Sequence, residues 1–181
     1  RRAEFLRQAA RIEGVYVPSL YEVSYREDGT VASVTARDGA PQRVRKRILV
    51  DMDAAYYPEK VVVPFIDIVH DRAMSEIFRG CIRGCRFCQA GFIYRPVREK
   101  SVDTIDRQSR ALCESTGYEE FSLSSLSTSD YTGLSELLPR LLDWAEPEHT
   151  NISLPSLRVD GFSEELAARL NVLRRSGLTF A

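Results

Sequence analysis

From about Arg72 onward the chain repeats one rhythm, a short apolar run followed by an amphipathic segment of helical length. No other feature constrains the fold as tightly, because strands joined through helices lie parallel and their crossovers take one hand. "SEIFRG" (residues 75–80) predicts a first strand. A helix over 102–115 follows, with Ser101 placed to cap its first turn. "EEFSLSSLS" (119–127) predicts a second strand, and "LSELLPRLLDWAE" (134–146) a helix with Pro139 as its kink point. "NISLPSLRV" (151–159) predicts a third strand, "SEELAARLNVLRRSG" (163–177) a helix closed by Gly177, and "LTFA" (178–181) a fourth strand. A series of about three and a half such β/α units curls toward a barrel and supplies only part of one.

The residues before this region read differently. "EFLRQAARI" has helical spacing, and "YEVSYREDGTVASVTARDG" alternates as a hairpin does, with Asp28-Gly29 at the turn. "VRKRILVDM" (44–52) predicts one further strand. The basic run Arg43, Arg45, Lys46 and Arg47 reads as a solvated face, since no aromatic residues interleave with the charges to stack on bases. "PEKVVVPFIDIVHDR" (58–72) reads as a linker. The expected class is therefore α/β: a small α+β segment with a β-hairpin over 1–64, then the N-terminal half of a (β/α) barrel over 65–181.

Composition acts here as a filter on function. A net charge of -1 gives no global pull toward nucleic acid or an anionic membrane, so any RNA binding would be local. No apolar run approaches the roughly 20 residues of a spanning helix. The opening "RRAEFLRQAARIEG" is charged and amphipathic rather than signal-like, and the expected location is the cytoplasm. The chain opens on Arg1 and closes inside an expected strand, so it reads as a piece of a longer protein.

Three of the four cysteines, Cys81, Cys85 and Cys88, stand together in "CIRGCRFC", directly after the first expected strand. That is the carboxyl-terminal rim, where β/α folds build their sites. A cytoplasmic chain has little use for disulfides, so close thiols point to metal or redox chemistry. Tetrahedral zinc takes four ligands, commonly from two separated pairs. Three soft thiolates on one loop suit an iron–sulfur cube whose fourth iron is left open. Cys113, near the end of the next helix, reads as a buried apolar residue, or as the fourth ligand in a zinc reading. His70 and His149 are the only histidines, and without placed partners each reads as an ordinary hydrogen-bonded residue rather than a ligand.

The spacing Cys-x3-Cys-x2-Cys, with Phe87 just before the third cysteine, resembles the signature of the radical S-adenosylmethionine (SAM) enzymes. The flanks "FRGCIRGCRFCQAGFIYRPVREKS", with the later "LSSLSTSDY" and "SLPSLRVD", resemble more closely a subgroup in which a cobalamin-binding-type domain precedes the core. The resemblance covers about Val15 to Ala181, and it places any cobalamin in a domain outside this chain. It implies a radical SAM-type barrel, a [4Fe-4S] cluster held by Cys81, Cys85 and Cys88, and SAM bound to the open iron through its amino and carboxylate groups. Reductive cleavage to a 5′-deoxyadenosyl radical and hydrogen abstraction from a substrate, RNA or protein among the candidates, are the implied chemistry. An electron donor such as flavodoxin or ferredoxin is the implied partner.

Phe87, Ser125, Ser127 and Arg158 are the SAM-binding residues this resemblance implies; no catalytic side chain is assigned. The family's Gly-Gly-Glu at the second strand end is replaced by Ser124-Ser125-Leu126-Ser127, which either offers hydroxyls or backbone carbonyls to the SAM ammonium without a carboxylate's charge or simply ends a strand and turns into Asp130 and Tyr131. Arg158 reads either as a bidentate donor to the SAM carboxylate or as a rim charge. Arg79, Arg83, Arg86, Arg95 and Arg98 crowd the cysteine loop and read either as an electropositive mouth favouring thiolate and an anionic cluster or as a face that meets an RNA or a reductase partner. Gly80 and Gly84 are expected to let the loop backbone approach the cluster. Two other classes stay open: a non-catalytic zinc or structural iron–sulfur module, and an RNA-binding module built on the basic run. A half barrel also predicts little turnover from this chain by itself, and self-association through the edge of its last strand.

Overall fold

The structure, a computed structural model, describes residues 1–161. The helix and strand expected over 163–177 and 178–181 lie outside the described residues. The chain divides into two compact units, Arg1–Leu49 and Val50–Ala181. Residues 50–64, grouped with the first segment on sequence grounds, fall in the second unit.

The first unit holds helix α1 (Arg2–Ala9) and a hairpin of β1 (Tyr21–Tyr25) and β2 (Val31–Ala36). The strands run antiparallel, with Val23 opposite Val34 and the Ser24 and Ser33 hydroxyls 2.7 Å apart. At the turn, Asp28 Oδ1 accepts from the Thr30 N–H at 2.9 Å, and Gly29 takes φ of +79°, the two roles an Asp-Gly pair is suited to. Ala10, Val17 and Leu20 form a small core. The strand expected over 44–52 does not form. Arg45-Lys46-Arg47 is followed by Ile48-Leu49-Val50, and three cations then three apolar residues cannot alternate between a buried and a solvated face.

In the second unit β3 (Ala73–Glu76), β6 (Glu120–Ser124) and β7 (Asn151–Ser153) make a parallel sheet in the order β3-β6-β7. Between β3 and β6 in sequence come β4 (Phe78–Arg79), a short helix α2 (Ala90–Ile93), β5 (Arg98–Glu99) and helix α3 (Val102–Thr116). Helix α4 (Leu134–Ala145) joins β6 to β7 and carries Pro139 inside it. Phe121, Ser122 and Leu123 are all buried, so the central strand has both faces covered, as a parallel strand between layers should. Leu112 and Cys113 of α3, and Leu137, Leu138 and Leu141 of α4, supply the helical side of that core.

Helix α3 begins and ends on local signals. Ser101 Oγ accepts from the Thr104 N–H at 3.2 Å, and Gly117 leaves the helix with φ of +71° while its N–H donates to the Cys113 carbonyl. Two strands differ from expectation. "SEIFRG" is not one strand, because Ile77 is a pivot: its N–H donates to Ser124 O and its carbonyl accepts from Lys100 N, each at 3.0 Å. Chain before the pivot belongs to the parallel sheet, and chain after it pairs antiparallel with β5. The third strand ends at Ser153, since Pro155 has no N–H for a ladder and Ser156 turns with φ of +57°. No helix among the described residues is long and apolar enough to cross a membrane.

Candidate functional site

The cysteine loop leaves β4 through Gly80, which takes φ of +100°. A Cβ there would lie 2.7 Å from Pro96 O and 2.8 Å from Tyr94 O, so this exit needs glycine for reasons of the protein's own packing. Gly84, expected to play the same part, has open space around it. The other tight glycine beside this loop is Gly91 in α2, whose added Cβ would meet Arg83 O at 3.0 Å. Cys81, Cys85 and Cys88 are half-buried, and the Cys88 N–H closes a turn on Cys85 O at 3.0 Å. Among the described residues no three Cys, His, Asp or Glu side chains converge on a point that would hold a metal ion. The loop brings the thiols into one stretch without drawing them together.

Of the five arginines read as an electropositive mouth, two are paired with carboxylates. Arg79 is doubly hydrogen-bonded to Glu76, at 2.8 and 2.7 Å. Arg83, between the first two cysteines, forms a fork with Asp130, Nε to Oδ2 at 2.9 Å and Nη2 to Oδ1. That guanidinium holds the Asp130 carboxyl below the usual carboxylate range. Arg95 spreads over three consecutive carbonyls of the loop, Cys81 O, Ile82 O and Arg83 O, each at 3.4 Å. Arg98 braces the next turn through Pro96 O and Tyr94 O, at 3.0 and 2.9 Å. Arg86 is exposed. Two cations thus meet carboxylates and two shape the backbone.

Of the residues expected to meet SAM, Phe87 is 94% exposed. Ser127 is buried and donates to Asp130 Oδ2 at 2.7 Å. Ser125 shares a hydrogen bond with Thr128 at 2.9 Å. Arg158 is held by both carboxylate oxygens of Asp160 at 2.9 Å. Cys113 sits in the core, where burial pushes its thiol up to about 11. His70 contacts Arg72 through Nδ1 at 2.9 Å, and the His149 N–H bonds to Glu146 O. Beside the cysteine loop, at the carboxyl ends of β3 and β6, lies a cavity of about 300 Å³ lined by Glu76, Phe78, Arg79, Gly80, Tyr94 and Ser124 to Leu126. Of its charged members, Arg79 is one of the arginines read from the sequence as crowding the loop, whereas Glu76 was missed; its closeness in sequence to the first cysteine was the available signal.

A parallel β/α layer with a three-thiol loop and a cavity on its carboxyl rim defines the class of protein. Residues 75–180 match the family model of the Radical SAM superfamily, and the chain belongs to that superfamily. It is also 33% identical over 108 residues to the uncharacterized protein MJ0966 of Methanocaldococcus jannaschii. That match covers 60% of this chain and 23% of the relative, so the chain spans less than a quarter of that protein's length. Membership implies a [4Fe-4S] cluster and SAM, and the donor set fits: three half-buried soft thiols on one braced loop are chemistry for iron–sulfur rather than for a closed zinc site.

Proposed function

We propose that this chain is the cofactor-binding core of a radical SAM enzyme, in which Cys81, Cys85 and Cys88 hold the cluster and the adjoining cavity receives SAM. The observation that carries the reading is that the three-cysteine loop starts from Gly80, in the wall of that cavity, at the carboxyl ends of the parallel strands. When bound, cluster and SAM supply one-electron reductive cleavage of the sulfonium and hydrogen abstraction from substrate. The chain's own residues hold the site in shape. Gly80 gives the loop its exit, Arg95 gathers the carbonyls of residues 81–83, and the Arg83–Asp130 fork ties the loop to the turn after β6. The half-buried setting of the thiols leaves a side open to an incoming ligand. Reductive cleavage consumes an electron, so the reading requires a low-potential donor of flavodoxin or ferredoxin type, and an RNA or protein substrate is the candidate hydrogen source.

Anaerobic iron–sulfur reconstitution followed by electron paramagnetic resonance of the reduced protein, with and without SAM, tests this. A reduced-cluster signal that shifts on adding SAM is the expected result. Stoichiometric zinc in a colourless protein that forms no cluster would overturn it.

A further inference from the structure

Strand β6 ends in serines where a carboxylate would be useful for holding an amino group, and the structure shows where the charge lies instead. Glu76 is the last residue of β3, and in the parallel register it stands opposite Ser124, the last residue of β6. The two strand ends therefore share one rim, and Glu76 faces the cavity there together with Ser124 and Ser125. Arg79 lies three residues on, in β4, and lines the same cavity; Gly80, also in its wall, is the residue before Cys81. Cation and anion are bonded to each other at 2.7 and 2.8 Å, yet both side chains keep about a third or more of their surface exposed, 35% for Glu76 and 42% for Arg79. The pair is thus open to a ligand at the cavity, whereas Ser127 is buried and Arg158 does not line that cavity.

We infer that Glu76 and Arg79 form a binding couple for the α-amino-acid end of SAM, a deepening that rests on the function proposed above. The α-amino group donates to the Glu76 carboxylate, and the α-carboxylate accepts from the Arg79 guanidinium, so the ligand's own opposite charges replace part of the contact between the two side chains. Matched opposite charges side by side, close to the first cysteine, suit a zwitterion and do not suit a simple anion or cation. Among the described residues that line the cavity, the others are Phe78, Gly80, Tyr94, Ser124, Ser125 and Leu126, none of them charged. Glu76 thereby takes the task that the sequence offers no glutamate to perform at the end of the second strand.

The test is equilibrium binding to the anaerobically reconstituted protein, with SAM and with 5′-methylthioadenosine, which keeps the nucleoside thioether and lacks the amino-acid end. Glu76→Gln and Arg79→Gln are each expected to weaken SAM about tenfold or more, from loss of one charge-assisted hydrogen bond. Methylthioadenosine affinity and the iron and sulfide content should be unchanged. The double variant Glu76→Gln/Arg79→Gln leaves two amides able to bond each other, controls for the ion pair's share in folding, and should bind SAM no better than either single variant. SAM affinity within about twofold of the parent in Glu76→Gln, with full iron content, would overturn the assignment. So would equal weakening of both ligands, or loss of the cluster from all three variants, either of which marks a structural pair. Failure of the parent protein to bind SAM at a well-formed cluster overturns the proposed function itself, and is distinguished by appearing before any substitution is made.

Discussion

At Gly80 two constraints coincide, a φ of +100° and backbone oxygens 2.7 and 2.8 Å from any added methyl group. Neither oxygen belongs to a flexible side chain, so relief would have to come from moving the loop. Gly80→Ala is expected to cost at least about 2 kcal/mol in urea unfolding and to lower iron uptake on reconstitution; an unchanged midpoint would show that the loop has room. Cys113 carries a prediction in pH. Its thiol titrates at 9.0 in an open chain and is pushed up to about 11 by burial, with Glu148 and Glu114 adding to the effect. Between those values the unfolded chain gives up its proton while the folded chain keeps it. This thiol's contribution to stability is therefore fully present below pH 9.0, falls as pH rises through the window, and is gone beyond about 11. Cys113→Val should flatten that part of the urea midpoint's pH profile and leave iron content unchanged, whereas alanine at Cys81, Cys85 or Cys88 should abolish the cluster. The difference between these four thiols was legible in the sequence, because spacing on a loop and position within a helix are local properties. The partners of Arg83 were not: Asp130 lies 47 residues away, and nothing in local spacing brings the two together.

Helix α3 shows how far local chemistry reaches at the scale of an element. Ser101 accepts from the Thr104 N–H, its hydroxyl meets Thr104 Oγ1 at 3.0 Å, and its own N–H donates to Asp53 Oδ1 at 2.8 Å. The side-chain part of this arrangement is lost in Ser101→Ala, which is expected to cost about 1 kcal/mol by urea denaturation. A cost near zero would mean that Asp53 alone sets the start of the helix. The cap was readable because it depends on residues three apart, and the Asp28-Gly29 turn was readable for the same reason. Strands behave otherwise. "VRKRILVDM" and "SEIFRG" have strand composition, but the first breaks alternation and the second is divided at Ile77 by two different partners, Ser124 and Lys100. A ladder is made by the chain it faces, and a single segment does not name that chain.

Across the second unit as a whole, the cysteine loop is tied to elements that follow it by many residues. Arg83 binds Asp130, which also accepts from Ser127, while the Thr128 N–H donates to Ser156 O at 3.1 Å and the Arg158 N–H to Ser129 Oγ at 3.2 Å. The turns after β6 and β7 are thereby bonded to each other, and the cysteine loop is bonded to the first of them. The parallel order β3-β6-β7 makes this connection available, since consecutive parallel strands deliver their carboxyl ends to one rim. That the loop would sit on this rim followed from the β/α rhythm; that a single aspartate would fasten it there did not. Asp130→Asn keeps the size and one acceptor of the side chain but removes the charge that a bidentate guanidinium reads. With the loop held less firmly, cluster assembly should still occur, because all three thiols remain, while the bound cluster should lose iron to a chelator severalfold faster than in the parent. Thermal unfolding of the cluster-free protein separates this from a general loss of stability: a variant with an unchanged melting temperature and a short-lived cluster marks Asp130 as a positioning residue for the loop. If the rate of iron loss instead stays at the parent value, Arg83 is held by the rest of the loop, including the three carbonyls under Arg95, and the fork is a consequence of the loop's shape rather than its cause.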